Sequence, residues 1–470
     1  MATSRTSSGT ASGLELLLAV DRTSPEPVHR QLGCGLREAI RCGRLDGGVA
    51  VPSSRELARQ LAVSRGVVVE AYEQLVAEGY LVSRPGGATR VAAGLAVAGR
   101  RSMDLEPAVP EFDFRPGRPD VAEFPRATWV RALRRALESA PANRLGYLGS
   151  QGVPELRLAL AAYLNRVRGT AADPADVVVT SGFAQALGML AATLAARGAR
   201  RFGMEDPFGP EYRAIVTRAG LEVVPVEVDG DGMRVERLDA ARVDAVLVTA
   251  AHQYPVGGVL PPDRRAALLE WARRGGRLVV EDDYDAEFRY DRDPVGALQG
   301  LAPDHVVYAG SASKTLAPGV RLGWLIAPPA LASAIGETKE AADQGSQAMD
   351  QLALAELLER GDVDRHLRRM RPIYRRRRDA LLAALGHHLP ELEASGAAAG
   401  LHLLTWLPTG LDEARIVAEA TGAGIAISGV TPRRVAAGRP GLIFGYGAIP
   451  ESRIEPGVAR LARIIRGLPA

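Results

Sequence analysis

Lysine is almost missing from this sequence. Of 58 basic side chains only Lys314 and Lys339 are lysine, and the other 56 are arginine. Arginine stays protonated at neutral pH and cannot form an imine, whereas lysine can lose its proton and act as a nucleophile. A lysine kept against such a background is a candidate for chemistry. Lys339, in the charged helical context Glu337-Thr-Lys-Glu340, reads as a surface residue. Lys314 lies between a Ser/Ala/Gly loop and a turn, which is no ordinary setting for a surface cation.

Cysteine is equally scarce. Cys34 and Cys42 both fall within one predicted helix, which excludes a disulfide framework and predicts a reducing cytoplasm. No apolar run approaches the length of a membrane span. The short apolar stretch 14–20 contains Glu15, so it reads as neither a secretory segment nor an anchor. At 470 residues, with 47% hydrophobic and 24% charged residues, the chain predicts two or more globular domains. Residues 1–100 carry 12 Arg against 9 acidic residues, the whole formal excess of +3, a weak pointer to a polyanion at that end.

The pattern along the chain divides it. Residues 1–20 read as a flexible start and 21–92 as a small helical domain. An amphipathic helix over 28–42 is followed by Ser53 and Ser54, a helix N-cap signal before 55–61. Ser64 can cap a longer helix reaching Gly79, with Val68, Tyr72, Leu75 and Val76 as its apolar positions. The stretch 81–91, with a Pro85-Gly86-Gly87 turn, predicts a hairpin. This order is a winged helix-turn-helix.

Residues 93–111 read as a linker, and 112–470 as an α/β domain with a large part over 112–340 and a smaller α+β part over 341–470. Buried strands are predicted at 177–180, 221–226, 245–249, 278–281, 306–308 and 322–326, alternating with helices as in a largely parallel sheet.

Ligands gather at the carboxyl ends of strands in such sheets. Asp282 and Tyr284 leave one predicted strand there, and Ser311, Ser313 and Lys314 leave another. The link Gly182-Phe183-Ala184 opens a helix whose backbone N–H groups can cradle a phosphate, and Arg321 supplies a cation suited to bidentate phosphate binding. An amine, a carboxylate, a hydroxyl and a phosphate cup together answer the needs of pyridoxal 5′-phosphate, with Lys314 forming the Schiff base.

These residues resemble the fold-type I aminotransferases and, over about 28–466, the MocR subgroup of GntR-type bacterial regulators. The motifs that carry the resemblance include Pro52-Ser-Ser-Arg-Glu-Leu-Ala58, Val63-Ser-Arg65, Gln151-Gly-Val-Pro-Glu-Leu-Arg157, His252-Gln-Tyr-Pro255, Glu281-Asp-Asp-Tyr-Asp-Ala-Glu-Phe-Arg-Tyr290 and Ser313-Lys-Thr-Leu316. The resemblance implies that Asp282 contacts the pyridine nitrogen, that Tyr284 contacts the phenolic oxygen, and that Ser311, Ser313 and Arg321 surround the phosphate. It implies that Phe208 stacks on the ring, although the family usually carries its aromatic one residue later, where this chain has Gly209.

Two further departures bear on function. The arginines that grip an amino-acid carboxylate in the family have no counterpart in register: the matching stretches hold Gly209-Pro210-Glu211 and Ile443, leaving Arg213 or Arg439 as substitutes. Ala184 replaces a common phosphate-loop Gln. The cup is expected intact and the amino-acid clamp damaged.

At the DNA end the residues placed to meet an operator are Ser53, Ser54, Arg55, Ser64, Arg65, Arg84, Gly86 and Arg90. Eight arginines crowd residues 365–378, which read as a solvated helix face paired to carboxylates, with an accessory DNA contact as the alternative. The expectation is a cytoplasmic, homodimeric transcription regulator that responds to pyridoxal 5′-phosphate, with or without an amino acid or amine as effector. A working aminotransferase with a fused DNA-binding domain is the rival.

Overall fold

The computed structural model describes residues 20–84, 87–93, 109–290, 295–396 and 399–468. The chain divides into two units, Met1–Ala108 and Val109–Ala470.

In the first unit α1 (Val28–Arg41) buries Leu32, Leu36, Ala39 and Ile40, one face of an amphipathic helix. α2 (Ser54–Gln60) starts where the Ser53 hydroxyl accepts the Glu56 N–H at 3.2 Å. α3 (Arg65–Ala77) packs Val68, Ala71, Tyr72 and Leu75 against α1 and α2. The Tyr72 hydroxyl donates to the Pro52 carbonyl at 2.8 Å, tying the loop before α2 to α3. β1 (Leu81–Val82) and β2 (Arg90–Val91) form the antiparallel wing.

Several details differ from the sequence reading. Cys42 is the cap that ends α1 rather than a helical residue. Ser64 stands at the cap position of α3 without a side-chain capping bond, and Val76 points outward because the buried stripe of α3 runs through Leu75 instead. Gly86, most of the expected linker and the first 19 residues lie outside the described residues.

The second unit is built on an eight-stranded sheet. Its strands are β3 (Val177–Thr180), β4 (Arg201–Asp206), β5 (Glu222–Asp229), β6 (Gly232–Met233), β7 (Ala245–Val248), β8 (Leu278–Asp282), β9 (Val306–Ser311) and β10 (Gly323–Ile326), in the spatial order β3-β10-β9-β8-β7-β4-β5-β6. Five neighbours, β9, β8, β7, β4 and β5, run parallel, whereas β10 is antiparallel to both its partners and β6 to β5. β3, β7 and β10 are buried at every position, as expected of strands covered on both faces. β4 escapes a search for apolar runs because it ends in Glu205 and Asp206, both buried.

The smaller part holds a four-stranded antiparallel sheet, β11 (Glu393–Ser395), β12 (His402–Trp406), β13 (Ser428–Gly429) and β14 (Gly441–Gly445), in the order β11-β12-β14-β13. The helices Asp362–His388 and Glu451–Gly467 pack on one another beside it. Phe112–Asp113, assigned from sequence to the large part, pairs instead in parallel with Ile425–Ala426. No helix among the described residues is long and apolar enough to cross a membrane.

The arginine-rich stretch lies on helix Asp362–His388. Arg365, Arg369, Arg376, Arg377 and Arg378 meet Asp362, Glu123, Glu451, Asp120 and Asp379, so the pairing is as expected. Arg377 and Arg378 are buried, however, and correct the reading of a solvated face, because their side of the helix packs inward. Lys339 corrects its surface reading. It is fully buried, with its amine 2.9 Å from both oxygens of Asp343 one turn later.

Candidate cofactor site and DNA-binding face

The carboxyl ends of β8 and β9 open on a cavity of about 610 Å³. Successive residues of a strand point to opposite faces, and that alternation separates two adjacent carboxylates. Asp282 lines the cavity, while Asp283 turns away to Arg168. Past the end of β9, a single helical turn, Ala312–Thr315, presents Lys314, whose amine donates to the Gly117 carbonyl at 2.5 Å.

Lys314, Asp282, Tyr284, Ser311, Ser313, Arg321, Phe183, Ala184 and Phe208 all line this one cavity. Gly182 sits at its edge as the cap of helix Phe183–Ala196, at φ +101°, where a Cβ would lie 3.3 Å from the Arg321 guanidinium. The backbone conformation and the close approach both call for glycine. Arg321 and the helix N-terminus therefore face one small space, an arrangement suited to a phosphate group.

The charges in the cavity are tuned by burial. Asp282 is raised well above the usual carboxylate range, first by burial and then by Asp283, with Lys314 opposing. Burial likewise lowers Lys314, against the pull of Asp285 and Asp282. Tyr284 is raised well above its ordinary value by burial and then by Asp285, so it holds its proton at neutral pH.

Several residues here were missed by sequence reasoning. Asp285 and His402 line the cavity with Tyr254, Tyr212, Glu211 and Arg118. The Tyr284 hydroxyl lies 3.0 Å from His252 Nδ1, and both Asp285 oxygens lie within 3.2 Å of the same nitrogen. A hydrogen on Nδ1 would be directed at Asp285, which leaves the Tyr284 hydroxyl proton free for another acceptor. His252 and Tyr254 stood in a quoted motif. Asp285 likewise stood in the Glu281–Tyr290 motif, next to Tyr284, whereas His402 carried no signal, because only folding brings β12 to the end of β8.

The suggested substitutes for the amino-acid clamp are not at the cavity. Arg213 donates to the carbonyls of Phe208 and Arg433 at 3.0 and 2.7 Å, and Arg439 pairs with Glu393 at 3.1 Å. Ile443 is fully buried. Among the described residues, Arg118 is the remaining lining cation beside Lys314 and Arg321, and it lies 3.4 Å from Asp113.

On the first unit Ser53, Arg55, Ser64, Arg65, Arg84 and Arg90 are exposed and Ser54 is half-buried. Arg65 Nε donates to the Ser54 hydroxyl at 3.3 Å, which ties the start of α3 to that of α2. Arg90 donates to the Gly48 carbonyl at 3.0 Å.

Residues 117–423 match the family described as Aminotransferase class I and II, and residues 29–91 match Bacterial regulatory proteins, gntR family. Over 449 residues the chain is 34% identical to the HTH-type pyridoxine biosynthesis transcriptional regulator PdxR of Corynebacterium glutamicum, covering 94% of this chain and 96% of that protein. The chain belongs to the MocR subgroup of GntR-type regulators. It is also 32% identical to the Probable rhizopine catabolism regulatory protein MocR of Rhizobium meliloti, covering 95% of each chain. Among solved structures, the multiple substrate aminotransferase of Thermococcus profundus superposes with a TM-score of 0.71 at 27% identity, covering 77% of this chain and 92% of that one. The family thus joins a GntR-type DNA-binding domain to an aminotransferase fold, as the sequence reading expected.

Proposed function

We propose that this regulator senses pyridoxal 5′-phosphate through Lys314 and alters its binding to operator DNA in response. The observation that carries the reading is the convergence of Lys314, Asp282, Tyr284 and the Arg321–Gly182 cradle on one cavity.

The residues fit the group. Asp282 is 7% exposed, and its carboxylate accepts no hydrogen bond among the described residues. A buried carboxylate without a partner is costly, and a protonated ring nitrogen would supply the missing N–H and positive charge. Lys314 would hold the aldehyde carbon, the Tyr284 hydroxyl would donate to the phenolic oxygen, and Ser311, Ser313, Arg321 and the backbone at 182–184 would hold the phosphate. When bound, the cofactor supplies an aldehyde open to amines and a ring that can take up electrons. The lowered pKa of Lys314 enlarges the neutral fraction able to attack an aldehyde.

The cofactor alone is the preferred effector, because the substitute clamp arginines are engaged elsewhere. Turnover needs the substrate carboxylate held in one orientation. An aminotransferase lacking that grip should be slow, which favours sensing over catalysis and suits control of vitamin B6 synthesis. The winged helix would place Arg65 at the major groove and Arg84 near the wing tip, and a homodimer would supply the two half-sites that specificity needs.

The test is an absorbance titration of the full chain with the cofactor, followed by binding to DNA fragments selected for affinity to the protein. Saturable absorbance near the visible edge, lost in Lys314→Ala, and a cofactor-dependent change in DNA affinity are expected. Identical DNA affinity with and without saturating cofactor would overturn the sensing role. Many turnovers of an amino acid and keto acid pair would restore the enzyme.

A further inference from the structure

Gly209 lies where a side chain has no room. A Cβ built on it would fall 2.7 Å from Cδ2 and 3.0 Å from Cε2 of Tyr212. These atoms belong to the rigid ring of an aromatic side chain, not to a flexible tip, so the Tyr212 ring fills the volume that a side chain at 209 would enter. The helix explains the overlap. Gly209 caps helix Pro210–Arg218 and accepts the Tyr212 N–H at 3.1 Å, and residues three apart share a helix face.

Two aromatics near this point line the cavity, Phe208 and Tyr212, and they are placed differently. Phe208 is 1% exposed, with its ring centroid 5.6 Å from that of Tyr212 and 6.2 Å from that of Tyr254. Tyr212 is half-buried, so part of its surface is open. Phe183 meets its ring edge-on at 5.1 Å and 73°, and its hydroxyl makes no hydrogen bond among the described residues. Burial raises its pKa, Asp282 adds to the rise and Arg321 opposes it. Tyr212 thus lines the same cavity as both the carboxylate and the guanidinium that the cofactor reading assigns to opposite ends of one ligand.

We infer that Tyr212 supplies the aromatic face against which a flat phosphorylated heterocycle packs, with Phe208 backing the Tyr212 ring. This rests on the cofactor reading above and names the residue that would grip the ring.

The full chain is titrated with pyridoxal 5′-phosphate by absorbance and induced circular dichroism, with cofactor-free melting curves to confirm that each variant folds. Tyr212→Ala should weaken apparent binding about tenfold and diminish the induced dichroism, whereas Tyr212→Phe should stay within about threefold of the parent. Phe208→Leu should lose less than Tyr212→Ala. Gly209→Tyr should weaken binding because two rings claim one volume, and adding Tyr212→Ala to it should bring binding back within about threefold of the parent. Parental affinity in Tyr212→Ala, a larger loss in Phe208→Leu, or no recovery in the double variant overturns the assignment. Absence of binding by the parent chain overturns the cofactor reading itself, a result distinct from parental binding with an indifferent Tyr212.

Discussion

Arg168 and Asp283 form an ion pair sealed in the interior, with Nε 2.7 Å from Oδ2, Nη2 3.2 Å from Oδ1, and both side chains 1% exposed. The Tyr308 hydroxyl adds a third donor to the same carboxylate at 2.7 Å. Asp283 is the immediate neighbour of Asp282, so this pairing answers the second of two adjacent buried charges and leaves the first to the cavity.

Arg168→Met should therefore destabilise the aminotransferase-like part by about 3–5 kcal/mol, because it strands the Asp283 charge. Denaturant unfolding followed by a probe in that part checks it. Adding Asp283→Asn should recover a share of the loss, and a double variant as unstable as the single one would show that the stranded charge is not the cause.

Cofactor capture should respond to pH through Lys314. Burial lowers its pKa from the ordinary 10.5, so the neutral amine is already available at a lower pH. The observed rate of absorbance change on mixing should rise with pH and level off below pH 10.5. A rate still climbing beyond that point contradicts the lowered pKa.

Glu205 gives a stability prediction. Burial raises it from 4.5 to about 7, against hydrogen bonds from Thr249 and Gln253. The folded chain then keeps a proton that the unfolded chain releases, so this group costs stability progressively as pH rises from about 4.5 to 7 and no more beyond. Glu205→Gln lacks that cost. Its stability relative to the parent should increase across the same window by up to about 3 kcal/mol, measured by unfolding at pH 4.5 and pH 8. A difference independent of pH would refute it.

At the DNA end, Arg65→Ala and Arg84→Ala should each weaken operator binding and reduce the slope of log affinity against log salt by about 1 where the contact is to phosphate. Arg376→Glu, which breaks a pair with Glu451 in the second unit, should leave that slope unchanged. A reduced slope in Arg376→Glu would revive the accessory DNA contact.

Much of this was legible in the chain. The helices of the first unit and most strands of the main sheet followed from apolar periodicity, because core burial imposes that period locally. β4 was not legible, since its buried Glu205 and Asp206 read as surface residues, nor was the reversed direction of β10, which depends on how β3 and β9 flank it. Lys339 misled for the same reason as β4: a charge in a charged stretch gives no sign that its helix turns it inward.

The scarcity of lysine singled out Lys314 from composition alone, and strand ends placed Asp282, Tyr284 and Arg321 near it. Those are properties of residue type and local order, which a sequence states directly. Only the tertiary structure joined His402 to the site, occupied Arg213 and Arg439 elsewhere, and set Tyr212 in the space of residue 209. Such relations depend on which distant side chains reach the same volume first, and close packing decides that only once the chain has folded.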